Sequence, residues 1–173
     1  MPPSASDSPR PPLRREVRSA VRALLLTPDD RLLLIRTAVP QHRGLWLHLT
    51  PGGGIERGET PLDALRRELA EETGLAVGDV GPEVWRRTHT YVWGRHLVTQ
   101  PESFFVVRTE PFSPRPQVGI PDLQDLAGFR WWSPTELAAS AERFVPYTLP
   151  TLLPPLLEAL RRGAPLAPTD VGP

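Results

Sequence analysis

Residues 53–75 read Gly53-Gly54-Ile55-Glu56-Arg57-Gly58-Glu59-Thr60-Pro61-Leu62-Asp63-Ala64-Leu65-Arg66-Arg67-Glu68-Leu69-Ala70-Glu71-Glu72-Thr73-Gly74-Leu75. The first half is a glycine-rich loop and the second half is a helix. Thr60 suits the N-cap, Pro61 the first helical position, and Asp63 the positive end of the helix dipole. Gly74 stands where a left-handed C-terminal cap is wanted. The spacing predicts a helix from about Pro61 to Thr73, with Leu62, Leu65 and Leu69 on the stripe that meets a core. Glu68, Glu71 and Glu72 recur at i, i+3, i+4 and share the neighbouring stripe.

Carboxylates so arranged repel one another, by roughly 0.2–0.5 kcal/mol per pair on an open helix. Such a triplet alone describes a solvated acidic face as well as it describes a site for a hard divalent cation, which takes several oxygen ligands. The surroundings favour the cation. Gly52, Gly53 and Gly54 let backbone carbonyls approach a ligand closely. Glu59, just before the helix, can aim a fourth carboxylate at the same place, and Arg67 can pair with Glu59 or orient Glu68.

These residues resemble the Nudix box, Gly-x5-Glu-x7-Arg-Glu-aliphatic-x-Glu-Glu-x-Gly-aliphatic. Gly53, Glu59, Arg67, Glu68, Leu69, Glu71, Glu72, Gly74 and Leu75 fill every defined position. The resemblance implies an α/β fold, the Nudix α/β/α sandwich with a mixed β-sheet. It implies that Glu68, Glu71 and Glu72 ligate Mg²⁺ or Mn²⁺, with the Gly52 carbonyl as a further ligand. Glu68 or Glu72 would also act on the attacking water, Glu59 would support the metal site, and Arg67 would hold Glu68 and Glu59. The implied reaction is hydrolysis of a nucleoside diphosphate linked to another moiety. Chemistry agrees: a pyrophosphate repels hydroxide, and divalent ions neutralise its oxygens and acidify a bound water. Little but positioning and electrostatics is left to the protein.

Composition narrows the alternatives. The chain has 173 residues and zero formal net charge. That length suits one domain with a sizeable core. Neutrality supplies no global field toward nucleic acid or an anionic membrane, which argues against both as partners, while the resemblance implies a small-molecule nucleotide substrate. There is no cysteine, so disulfides and thiolate metal sites are excluded. An isopentenyl diphosphate isomerase on a Nudix-like fold would use a cysteine in its proton transfers, so that activity is set aside. No apolar run approaches the roughly 20 residues of a membrane span. The N-terminus lacks a signal-peptide stretch, and a cytoplasmic location is expected. All 20 basic residues other than histidine are arginine, so every fixed side-chain cation is a guanidinium.

Outward from the box toward the N-terminus, Leu45-Trp46-Leu47-His48-Leu49 reads as a short strand. Trp46 suits a core position or a base-stacking one, and His48 alternates with the apolar residues. Before it, Glu16 to Leu26 and Arg31 to Thr37 read as two strands, with Thr27-Pro28-Asp29-Asp30 as turn chemistry for a hairpin. Arg36 ends the second strand and can point at a phosphate. Residues 1–14, rich in Pro and Ser, are expected to be a disordered tail.

Toward the C-terminus, Val84 to Trp93 reads as a strand with His89, Tyr91 and Trp93 on one face. That stripe suits a core, or stacking on a base or ribose. In the family a Tyr near this distance goes with dinucleoside polyphosphate hydrolases, and Tyr91 lies sixteen residues beyond Leu75. Arg86, Arg87, Arg95 and Arg108 are phosphate-binding candidates. Arg95 to Thr99 and Glu102 to Thr109 read as returning strands. The Pro-rich stretch from Glu110 to Gly128 is long enough to be functional. The family often takes an acidic residue from such a loop, which Asp122, Asp125 and Glu102 match loosely. Phe129 to Trp132 reads as a last strand and Ser133-Pro134-Thr135-Glu136 as a capping box. A leucine-striped helix follows from about Thr148 to Arg162, in which Pro154 and Pro155 fit only near the start. Residues 164–173 are expected to be a second tail.

The expected unit is one Nudix hydrolase domain over residues 15–163. The expected reaction is metal-dependent cleavage of the pyrophosphate bond in a dinucleoside polyphosphate, ADP-ribose or NDP-sugar, or NTP. The alternatives are an RNA 5′-end pyrophosphohydrolase, which wants a basic track, and a non-catalytic nucleotide-binding module, which has no need of all four box glutamates.

Overall fold

Period-two alternation sends Val21, Ala23 and Leu25 to one face of a strand and Leu24 and Leu26 to the other, and all five are fully buried. A strand dry on both faces needs a covering layer on each side. The computed structural model, which describes residues 12–39, 44–117 and 125–172, supplies both. In chain order the elements are β1 (Arg14–Val17), β2 (Ala20–Leu26), β3 (Leu32–Ala38), β4 (Trp46–Leu49), α1 (Pro61–Thr73), β5 (Glu83–Trp93), β6 (His96–Arg108), β7 (Leu126–Trp132), α2 (Pro134–Ala139), β8 (Phe144–Val145), α3 (Leu149–Arg161) and β9 (Thr169–Asp170).

Among the described residues the strands form one mixed sheet in the order β8-β4-β3-β2-β6-β5-β9, with β1 also on β6 and β7 also on β3. Helix α1 covers one face, packing Ala64, Leu65 and Leu69 on Val21, Ala23 and Leu25. Helices α2 and α3 cover the other, packing Leu137, Leu149, Leu153 and Leu157 near Leu24 and Leu26. This is the α/β/α sandwich with a mixed sheet. No helix among the described residues is long and apolar enough to cross a membrane.

The expected hairpin of β2 and β3 is present but barely paired: Leu26↔Leu32 is its one register pair. Beyond it the strands part. β3 pairs with β4 and with β7, while β2 runs parallel to β6 over its whole length. The chain leaving β4 fills the wedge between them. Pro51 O accepts from Ala23 N at 2.8 Å, Gly53 O from Val21 N at 2.9 Å, and Ile55 N donates to Ser19 O at 2.9 Å. The glycine loop thus completes the edge of β2 that β3 abandons.

Several boundaries differ from the sequence expectation. The strand read over Glu16 to Leu26 breaks at Arg18 and Ser19 into β1 and β2, both parallel to β6. β6 runs unbroken through Pro101. β1 pairs only as far as Thr99 and β2 begins at Glu102, so neither asks Pro101 for an N–H. Pro154 and Pro155 lie inside α3 rather than at its start, both on the exposed face. There water can satisfy the carbonyls one turn earlier, which have lost their N–H partners. The expectation of a disordered tail over 164–173 is corrected: β9 pairs with β5 at Trp85 and Arg86, and Val171 is buried in the core under α3. Its short apolar anchor was too brief to show a period. Of the tail expected over residues 1–14, residues 1–11 lie outside the described residues, and Arg14 already pairs with His96 at the start of β1.

Candidate active site

Helix α1 forms as its sequence dictates. The Thr60 hydroxyl accepts from Asp63 N, and Gly74 caps the other end in the left-handed region at φ 74°. The last carbonyls are also satisfied from outside. Gln117 N donates to Glu71 O at 2.8 Å and Arg115 N to Thr73 O at 2.9 Å, docking the loop after β6 on the end of α1. With Ala64, Leu65 and Leu69 rather than Leu62 committed to the sheet, the helix presents Glu68 and Glu72 to the wedge loop.

The loop is built for close approach. Gly52 has φ 131°, and a Cβ there would lie 2.2 Å from Val21 O. A Cβ on Gly53 would lie 2.5 Å from the Glu68 carboxylate. Gly52 N donates to Glu72 Oε2 at 2.7 Å, so the loop and the helix are joined at this pair.

Arg67 organises the other side. It grips Glu59 with Nε at 2.7 Å and Nη2 at 3.0 Å, reaches Glu68 Oε1 at 2.8 Å and Glu71 Oε2 at 3.4 Å, and donates to Gly54 O at 2.9 Å. Arg67 and the Glu56 N–H hold the Glu59 carboxyl down at about 2. Glu72 and Glu68 behave oppositely. Burial pushes Glu72 up to about 8, and Glu68 adds to this, against the pull of Gly52 N–H and Arg22. Burial also raises Glu68, against the pull of Arg67.

Among the described residues no three acidic or imidazole side chains converge on one metal-holding point. The Arg67 guanidinium stands between Glu68 and Glu71 and takes up their charge. The donor set nonetheless fits a hard cation. Glu72 and Glu68 are carboxylates whose desolvation outweighs the pull of the nearby guanidinium groups, and a divalent ion would supply what burial has removed. Glu68, Glu71 and Glu72, with the Gly52 carbonyl, are the residues that would hold it.

Sequence reading passed over Arg22. Its Nη1 donates to Gly52 O at 2.6 Å and its Nε to Glu102 Oε1 at 2.8 Å. A lone arginine inside the apolar run of β2 was the available signal. Glu102 matches a loop acid only loosely in the sequence. It is instead a strand residue with a fully buried carboxylate, bonded by Arg22, Arg87 and Gln100. Burial alone would raise it, but Arg22 and Arg87 overcome that and hold it at about 2.

The aromatic stripe is real. His89 and Tyr91 stack with centroids 5.3 Å apart, and Tyr91 OH donates to Gln100 Oε1 at 2.8 Å. Trp93 stands at the exposed end of the hairpin. Arg22, Glu102, Arg87, His89 and Tyr91 continue, at period two, the face of the sheet that α3 covers elsewhere. Arg36 continues the same face beyond Leu32 and Leu34. It stacks over Trp46 at 4.3 Å, across the wedge from His89 and Tyr91. His48 packs edge-on against Trp132 and is a core residue. Arg86 is committed to Glu83, and Arg108 stands beside Asp30. Asp125 begins the approach to β7, its carbonyl accepting from Ala38 N and Thr37 Oγ1. Asp122 lies outside the described residues.

Comparison with known proteins agrees with this architecture. A family model, the NUDIX domain, matches residues 16–152. Human 8-oxo-dGDP phosphatase NUDT18 is 43% identical over 72 residues, 41% of this chain and 22% of that protein. The RNA pyrophosphohydrolase of Pseudomonas paraeruginosa is 32% identical over 111 residues, 55% of this chain and 68% of that protein. The solution structure of the E. coli ORF135 protein superposes with a TM-score of 0.57 at 22% identity, covering 87% of this chain and 94% of that one. The chain belongs to the Nudix family, which generally uses divalent metals. The match spans only about a fifth of the length of NUDT18.

Proposed function

We propose that this protein is a Mg²⁺- or Mn²⁺-dependent hydrolase of the pyrophosphate bond in a nucleoside diphosphate linked to another moiety. The observation that carries the reading is Glu72, a half-buried carboxyl hydrogen-bonded to the glycine loop at 2.7 Å and pushed up to about 8 by desolvation, beside a second raised carboxyl, Glu68. A half-buried acidic pair of this kind disfavours a phosphate ligand and suits one that arrives with cations. The bound metal would neutralise phosphoryl oxygens and acidify the attacking water. Glu68 and Glu72 would hold the ion, and either could take the proton of that water. Arg67 would fix Glu59 and Glu68. His89 and Tyr91 on one wall, with Arg36 and Trp46 on the other, would receive the nucleoside and its phosphates. Asp122 and Asp125 remain proposed acidic contributors from the loop before β7.

A panel of dinucleoside polyphosphates, ADP-ribose, NDP-sugars and (d)NTPs, assayed by phosphate release with about 5 mM Mg²⁺ or Mn²⁺, tests this. Metal-dependent cleavage that is lost on chelation is the expected result. No cleavage of any member would overturn the reading for these substrates. The resemblance to an RNA pyrophosphohydrolase supports a second reading, an RNA 5′-end substrate. The chain's zero net charge argues against it, and release of pyrophosphate from 5′-triphosphorylated RNA would decide for it.

A further inference from the structure

We propose that Arg22, clamped by buried Glu102, is a positioning residue that sets the metal loop. The inference rests on the metal-dependent reading above.

The geometry is a continuous chain of hydrogen bonds. Tyr91 OH donates to Gln100, and Gln100 Nε2 donates to Glu102 Oε1 at 2.9 Å. Arg22 Nε donates to that same oxygen at 2.8 Å while its Nη1 donates to Gly52 O at 2.6 Å. Gly52 N then donates to Glu72 Oε2 at 2.7 Å. The Gly52 peptide is thereby held at both ends. Its carbonyl is aimed by Arg22, and its N–H aims Glu72.

Each link needs its residue type. Only a guanidinium offers separated donors in a fixed fork, so that one can hold Glu102 while the other holds a carbonyl. Glu102 has no exposed carboxylate surface and is bonded from three sides, so Arg22 has a rigid anchor. Gly52 lies in the left-handed half of conformational space with its neighbours packed against it. Its orientation is therefore imposed by the contacts around it. Residues that orient metal ligands from behind typically change metal affinity by about 10- to 100-fold when removed. Because the same chain ends at Tyr91, a ligand stacking on Tyr91 and His89 would bear on the loop through Gln100 and Glu102.

The test is Mn²⁺ affinity, read by the EPR signal of free Mn²⁺, with thermal unfolding of the metal-free protein measured in parallel. Arg22→Met is expected to weaken Mn²⁺ binding about 10-fold. Arg22→Lys keeps a buried cation and the fold, but one ammonium cannot span both partners, and it is expected to show most of the same loss. Arg87→Met also strips a partner from Glu102 but does not touch Gly52. It is expected to lower the unfolding midpoint while changing Mn²⁺ affinity less than about 3-fold. Arg22→Lys binding Mn²⁺ like the wild type would overturn the inference. So would equal losses in Arg22→Met and Arg87→Met, which would mark a general loss of sheet stability. A wild-type protein that binds no Mn²⁺ would overturn the metal reading itself, and this inference with it.

Discussion

The amide of Gly52 lies 2.7 Å from Glu72 Oε2 and its carbonyl lies 2.6 Å from Arg22 Nη1. One peptide unit thus joins a carboxylate of the box helix to a guanidinium of the sheet. Several measurable consequences follow from such tight coupling.

Glu72→Gln should keep the hydrogen bond from Gly52 and remove a desolvated, titratable carboxyl. Activity on any confirmed substrate is expected to fall by about 10²- to 10⁴-fold. The unfolding midpoint of the metal-free protein should hold or rise. In the wild type, the raised pKa means the folded state binds more protons than the unfolded one between the ordinary 4.5 and about 8. Metal-free stability should therefore decline as pH climbs through that window, and decline less in Glu72→Gln. Denaturant titrations at several pH values check this.

Glu102 has the opposite sign. Its folded pKa is about 2 against an ordinary 4.5, so its contribution is present above 4.5 and lost as pH falls toward 2. The contribution is roughly 3 kcal/mol at neutral pH. Urea unfolding of the wild type should weaken across that acid range, and Glu102→Gln should show a flatter profile. Parallel profiles would exclude Glu102 as the titrating group.

Gly53→Ala places a methyl where the Glu68 carboxylate now lies. The backbone tolerates alanine there, so the fold should survive while Glu68 is displaced. Steady-state kinetics should show a loss carried mainly by kcat. Gly52→Ala meets backbone instead, at a positive φ, and should destabilise the protein by about 2 kcal/mol or more.

Arg67→Met frees Glu59, Glu68 and Glu71 at once. Activity should drop by about 10- to 100-fold. The Glu59 carboxyl should return from about 2 toward its ordinary value, which a carboxyl NMR titration can follow.

Truncation after Gly163 removes β9 and the buried Val171. Losing that burial should cost about 1.5–3 kcal/mol. An unchanged unfolding midpoint would show that this segment contributes nothing to the fold.

Helix α1, its caps and the shared stripe of glutamates were legible in the sequence, because cap chemistry and the 3.6-residue period act over a few neighbouring residues. So were the layers, since runs such as Leu32-Leu33-Leu34-Ile35 can be dry on both sides only inside a sandwich. The aromatic stripe of His89 and Tyr91 was visible for the same local reason. The pairing of strands was not. Period two shows which residues share a face but not which edges meet, so the parting of β2 from β3 and the glycine loop between them had no local signature. Nor had the bond from Arg22 to Glu102, which joins residues 80 positions apart, or the return of Val171 to the core. By itself the sequence determined the box helix, its caps and which residues share its faces, because those follow from local spacing. Only the tertiary structure decided what holds the Gly52 peptide in place, because that depends on contacts between strands brought together by folding.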